Sequence, residues 1–279
     1  NNRKYLGRKQ IVLDCKFQIE NDKQVQKVLA VNGKPILSDV SISTGHISFS
    51  GKVNVKLIYI AENGERQSMN CIADFGDSFE NSEIEIGDNI IIDLKVVDVT
   101  TPSIKSNEVK VACILDAGII LSKNIVCEQA NSLEDVHYKS HTESLSRQVC
   151  TIKDSFDISE EFKIDGDLKS VLNIDVDLVV KDSYLGSGFA VVSGDAMVNV
   201  LYEDENNQLK KYETTFDYKQ EISVNDADKD CLIFADVCPI DYLSKYSVSQ
   251  GDNCNYIKWE SPVNISAYIY KKEEIELND

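Results

Sequence analysis

The sequence predicts an all-β, mostly antiparallel fold built twice in tandem. Two observations carry this. Hydrophobic and polar residues alternate with a period of two over several long stretches rich in Val, Ile and Tyr. The chain also repeats itself at a constant offset of 143 residues, which carries Gly51 onto Gly194, Val55 onto Val198 and Tyr59 onto Tyr202. That offset holds without a gap back through Gly45 and Gly188, Asp39 and Asp182, to Val28-Leu29 and Val171-Leu172. Self-similarity of this length marks a duplicated structural unit.

In chain order, the first strand is read over Ile11 to Ile19, where Ile11, Leu13, Cys15, Phe17 and Ile19 share one parity. From Ile47 to Tyr59 the odd positions are apolar or small, whereas Ser48, Ser50, Lys52, Asn54 and Lys56 are polar, the pattern of a half-buried strand. Asn63-Gly64 then predicts a tight two-residue hairpin turn with positive φ at both central residues. Further strands are expected at Ile90 to Val99 and at Glu108 to Leu121, where Val109, Val111, Cys113 and Leu115 alternate. Glu128 to Ser146 is polar and lacks Gly and Pro, which suits a linker with room for a short helix. Arg147 to Ile158 resembles Arg8 to Ile19 at an offset of 139, equating Phe156 with Phe17 and starting the second unit. Strands follow at Val171 to Val180, Val191 to Tyr202 and Val263 to Tyr270. The expected domains are residues 8–126 and 147–279, joined by a linker over 127–146.

Composition excludes several classes of partner. The chain has 279 residues, enough for two domains with separate cores, and a formal charge of −18. That charge repels nucleic acid and anionic lipid. No apolar run is long enough to span a bilayer, and residues 1–10 lack the apolar core of a secretory signal, so a soluble protein made in the cytoplasm is expected, with no membrane insertion.

Catalytic parts are sought without success. His137 and His141 are spaced i, i+4, which on a helix would place both imidazoles on one face, but nothing completes a metal site, and His46 stands apart at the start of a strand. No Gly-x-Ser-x-Gly elbow or Gly-rich phosphate loop occurs. No enzyme and no cofactor are expected. A weak calcium candidate is Asn225 to Asp230, in which Asp226, Asp228 and Asp230 alternate; Cys231 stands where a sharp turn would want Gly, and a charged surface turn explains the same residues.

The eight cysteines are too scattered for a zinc site and too few for a disulfide-dense scaffold. By parity, Cys15 and Cys113 belong to the core and are expected to stay reduced. Cys127, Cys238 and Cys254 have polar or turn-like neighbours, and their expected exposure makes them candidates for cross-linking between chains.

The repeat resembles the SPOCS domain of spore coat and exosporium proteins of clostridia and their relatives. The resemblance rests on Gly51-x-Val53-x-Val55-x-x-x-Tyr59 and its turn, on Phe75 with the acidic stretch running to Gly87, and on Gly194-x-x-x-Val198-x-x-x-Tyr202. The second copy departs at Ala196, which replaces Val53, and at Asn206-Asn207, which replaces Asn63-Gly64. The resemblance implies two sandwich-like SPOCS domains in a structural protein of the spore envelope, made in the mother-cell cytoplasm and deposited on the spore surface. Its expected partners are further copies of itself in an oligomer or two-dimensional array, through the repeated sheet edges, together with other envelope proteins. A monomeric adaptor joining two envelope layers is the alternative.

Overall fold

The computed structural model describes residues 2–20, 23–100, 102–105, 107–123, 140–225 and 230–278. Among these residues the elements are almost all strands, paired antiparallel, and the chain divides into two compact units, residues 1–126 and 127–279. The first unit contains β1 (Asn2–Gln18), β2 (Val25–Ser43), β3 (His46–Ala61), β4 (Arg66–Glu80), β5 (Asn89–Val99), β6 (Ser103–Lys105) and β7 (Glu108–Lys123). The second contains β8 (Ser140–Asp165), β9 (Ser170–Leu185), β10 (Phe189–Glu203), β11 (Leu209–Ser223), β12 (Leu232–Pro239), β13 (Lys245–Gly251) and β14 (Cys254–Asn278).

Each unit is a sandwich of the same two sheets. One is the meander β2-β3-β4, matched by β9-β10-β11. The other is centred on a long strand, β7 or β14; β1, β5 and β6 pair with β7, while β8, β12 and β13 pair with β14. The inward residues of both sheets make one core per unit. In the first they include Phe17, Val53, Val55, Leu57, Tyr59, Val111 and Leu115, and in the second Phe162, Val198, Val200, Tyr202, Trp259 and Ile265. This is the arrangement that period-two strands adopt when only one face of each sheet can be buried.

The duplication extends to irregularities. Val28 lies opposite Tyr59 and Val171 opposite Tyr202, and in each case the next residue, Leu29 or Leu172, is the extra residue of a bulge. Further along, Leu37 faces Gly51 and Val180 faces Gly194, with Ser38 or Lys181 as the extra residue. At that second bulge the glycine is obligatory. A Cβ on Gly51 would stand 2.2 Å from the Ile36 carbonyl oxygen and 2.6 Å from the Phe75 ring. On Gly194 it would stand 1.9 Å from the Val179 oxygen and 2.9 Å from the Tyr218 hydroxyl. Bulge, glycine and covering aromatic thus form one packing unit, present in both copies.

The hairpin turns differ from expectation. The Gly64 N–H donates to the Ala61 carbonyl (2.9 Å) and the Ala61 N–H to Glu65 (2.8 Å), so the loop has three residues, Glu62 to Gly64, and only Gly64 has positive φ, +85°. The second unit repeats it: Asn207 donates to Asp204 (2.9 Å), Asp204 donates to Gln208 (3.1 Å), and Asn207 has φ +59°. A loop of this kind needs one left-handed residue, which asparagine tolerates, so losing the Asn-Gly pair leaves the geometry intact.

Two further expectations are corrected. Residues 140–146, read as the end of a polar linker with a short helix, are strand, because β8 pairs along its length with β14 as far as Asn278. The offset of 139 between β1 and β8 also fails. Phe17 pairs with Val109 beside the start of β7, and the residue placed likewise is Phe162, opposite Ile257 near the start of β14; Phe156 lies opposite Val263 in mid-strand.

Replacing Gly51 or Gly194 by alanine should therefore destabilise the corresponding unit by about 3 kcal/mol, measured by urea unfolding. Asn207→Gly should be neutral or stabilising in the same measurement, since the left-handed residue is already required there.

Candidate functional site

The cysteines proposed for cross-linking have different fates. Cys238 is exposed, but through strand parity and not through a turn: it is the penultimate residue of β12, and its thiol donates to the Pro239 carbonyl (3.6 Å). Cys254 is not exposed. As the first residue of β14 it is 7% accessible, packed beside Gly251 and hydrogen-bonded with Tyr256, because strand pairing turns its side chain inward despite polar sequence neighbours. Cys127 lies outside the described residues. Cys15 and Cys113 are buried as expected, and among the described residues the cysteines are present as thiols.

Of the calcium candidate, Asp226 and Asp228 lie outside the described residues, and Asp230 is an exposed turn residue. Among the described residues no group of three or more His, Cys, Asp or Glu side chains is placed to hold a metal ion. His137 is likewise outside them; His141 stands in β8 opposite Leu277, so the i, i+4 spacing does not describe a helical face.

The exposed thiol belongs to an outward face that sequence reading did not single out. Leu232, Phe234, Asp236 and Cys238 alternate along the solvent side of β12. Phe234 is 59% exposed and meets the Tyr270 ring edge-on at 5.8 Å between centroids. At the strand rise of about 3.3 Å per residue, Cys238 stands roughly 13 Å from Phe234 along this face. An exposed phenylalanine backed by the half-buried Tyr270 ring, in line with an exposed thiol, is the composition of a contact surface. The signal was available in the alternation of Leu232 to Cys238, but that stretch is short.

A second feature lies alongside. β12 pairs with β14 only from Val263 to Tyr270, whereas β8 and β14 continue together to Ser140 and Asn278. Over residues 140–147 and 271–278 this is a two-stranded ribbon with no third strand among the described residues, clipped by an Arg147–Glu273 ion pair at 2.9 Å. A two-stranded ribbon turns part of its N–H and C=O groups outward along each edge.

Charge is arranged differently on the two meanders. In the first unit Lys52 pairs with Asp74 across β3 and β4. The corresponding residues of the second are both acidic, Asp195 opposite Asp217, and the bulge residue Lys181 supplies the cation, 2.5 Å from Asp195. The hydrogen bond from Lys181 holds the Asp195 carboxyl below its usual range. Beneath them Tyr218 is buried, and its hydroxyl finds no hydrogen-bond partner among the described residues. Burial, then the negative charges of Asp195 and Asp236, push this hydroxyl up to about 12.

The model of the family described as SipL, SPOCS domain, matches residues 24–105 and 167–244, more than half of the chain. The chain belongs to the SPOCS-domain family. Each match begins just before the meander, and the two starting points are separated by the same 143 residues as the repeat. Both stop short of the long strands β7 and β14. Membership makes this a sporulation-related, spore-associated protein. No curated protein and no solved structure matches the chain. Among the described residues no helix is long and apolar enough to cross a membrane.

Tyr218→Phe removes a buried unpaired hydroxyl and restores the residue type of Phe75, so it should stabilise the second unit by about 1 kcal/mol in thermal unfolding. The raised ionisation has a definite sign. The stability gained by keeping Tyr218 protonated is complete below its ordinary value of 10.0 and is lost as pH rises towards about 12. The second unit of Tyr218→Phe should therefore lose less stability than wild type between pH 10 and 12.

Proposed function

We propose that this SPOCS-family protein is a structural component of the spore envelope that associates with further copies of itself into a layer of the coat or exosporium, locked afterwards by disulfides between chains. In this reading it is made in the mother-cell cytoplasm and deposited on the spore surface, next to other envelope proteins. The single observation that carries it is the β8–β14 ribbon, two paired strands of the second unit beside which no third strand lies among the described residues. Backbone pairing of this kind propagates when each chain both offers and accepts an edge. The outward face of Phe234, Tyr270 and Cys238 supports the reading, since it provides apolar area for a contact and a thiol that can later be oxidised there.

The first expectation placed contacts at the repeated sheet edges of both units. The sandwiches favour the ribbon instead, because in the meander sheets the edge strands already run beside strands of the opposing sheet: β4 beside β1, β2 beside β5, β9 beside β12. Disulfide locking suits a protein that leaves a reducing cytoplasm for an oxidising surface, and it requires Cα atoms within about 7 Å at the interface. Cys238 and Cys127 are the candidates for the lock. Cys254 is excluded from it by burial.

Gel filtration of the full chain followed by negative-stain imaging should show sheets or large rings, and association should strengthen with salt or divalent cations, which screen the −18 charge. Elution as a monomer under all these conditions would instead support the adaptor reading. Thr142→Pro with Glu274→Pro, which removes two ribbon N–H donors, should abolish assemblies while near-ultraviolet circular dichroism stays unchanged.

Assembled material held in air should run as a ladder on non-reducing gels. The double replacement Cys127→Ser, Cys238→Ser should remove that ladder without dispersing the assemblies, and Cys254→Ser should leave it in place. A ladder that survives the double replacement would show that the lock uses other residues.

A further inference from the structure

The first unit closes one side of its sandwich along a seam that carries no backbone ladder. There β1, the edge of one sheet, runs antiparallel to β4, the edge of the other, with Cα atoms approaching within 8 Å. Three side-chain contacts mark its register. A Cβ on Gly7 would meet the Phe79 ring at 3.1 Å, the Lys9 ammonium stands 3.8 Å from the Asp77 carboxylate, and the Cys15 thiol shares a hydrogen bond with Cys71. Each step of two residues up β1 is matched by a step of two down β4, so all three contacts obey one register and Cys15 lies directly opposite Cys71.

The second unit provides an independent check on that register. At the equivalent seam between β8 and β11, Phe162 stacks on Tyr212 with ring centroids 5.9 Å apart. The same antiparallel register, carried from β1 and β4 onto these strands, brings Phe162 and Tyr212 together where the first unit has Phe17 and Met69. At the position of the thiol pair the second unit has Glu160 and Thr214.

We propose that Cys15 and Cys71 form an oxidisable clasp, closing as an intrachain disulfide that ties the two sheets of the first unit together at their unladdered seam. The oxidant is a low-molecular-weight disulfide. Cys71, half-buried at the edge of its sheet, is the thiol within reach of solvent, whereas Cys15 is fully buried. In the first step the Cys71 thiol gives up its proton and its sulfur attacks the small disulfide, forming a mixed disulfide and releasing one small thiol. In the second, Cys15 loses its proton and attacks the Cys71 sulfur, releasing the other small thiol. The protein loses two electrons and two protons, and the small disulfide is reduced to two thiols.

Burial first, and then the neighbouring Cys71 and Cys113, push the Cys15 thiol up to about 12. The second step is therefore slow near neutral pH and quickens as pH rises. The clasp revises the expectation that Cys15 stays reduced in every state. It is separate from the proposed lock between chains, because an intrachain bond adds no mass to the monomer and produces no ladder.

The test is to incubate the full-length protein with oxidised glutathione at pH 8.5, block remaining thiols by alkylation, and map peptides without reduction. A peptide linking Cys15 to Cys71 within one chain is expected. The melting midpoint of the first unit should rise by about 10 °C on oxidation and fall back with reductant. Cys71→Ser, a half-buried and conservative change, should abolish both the linked peptide and the shift, while Cys113→Ser should leave both. If Cys15 is recovered alkylated while Cys71 is oxidised to glutathione or to another chain, or if the link joins Cys15 to Cys113, the clasp is wrong. Absence of the chain-to-chain ladder with the clasp intact would overturn the proposed lock between chains alone.

Discussion

The close approach of backbone to backbone at Gly51 and Gly194 is the constraint on which both sandwiches depend. In each meander a bulge presses a neighbouring carbonyl against the central strand, and an aromatic ring from the third strand covers the glycine. The bulge bends the meander, and the ring fills the space that a missing side chain would leave in the core. Bending in turn lets the meander wrap over the second sheet, so that β4 comes beside β1 and β2 beside β5. A side chain at the glycine would oppose all of this at once, and the cover is Phe75 in one copy and Tyr218 in the other.

Wrapping has a consequence for how such a protein can associate. An open two-layer sandwich exposes four edges, and each is a template for another chain. Here edges of the two sheets run beside each other, joined by side chains instead of a ladder, and among the described residues the two-stranded backbone with no third strand beside it is the ribbon of β8 and β14. That ribbon belongs to the second unit, so the two copies need not contribute equally to an assembly even though their folds correspond.

Around the shared scaffold the copies have diverged in polar chemistry. The hairpin tip of the second unit buries Glu203 and Asp204 where the first has Ile60 and Ala61; Lys169 reaches Glu203 at 3.6 Å and donates to Asn207 at 2.7 Å. Asp204 also accepts the N–H groups of Asn206 and Gln208. A left-handed asparagine held by a lysine thus performs what Gly64 does with an unhindered backbone. The thiols opposite each other at the first seam have no counterpart at the second, and the paired Lys52 and Asp74 become two carboxylates served by the bulge residue Lys181.

Alternation and the 143-residue repeat by themselves determined that this chain is all-β and duplicated, because core-facing parity and tandem similarity are local properties of residue order. The central strands β3 and β10, their equivalent tyrosines, and the burial of Cys15 and Cys113 followed from that. The edge strands β2, β4 and β11 were not legible: bulges break the parity of β2, while the inner faces of β4 and β11 are mostly half-buried and carry polar residues among the apolar ones. Nor could sequence neighbours tell which thiols meet solvent. Cys254 sits between asparagines yet is buried, and Cys238 is exposed from within a strand, since exposure depends on the face each strand turns to its partner. The pairing of Cys15 with Cys71 was decided only by tertiary structure, because it depends on how one sheet's edge registers against the other's, and no ladder or motif within either strand records that choice.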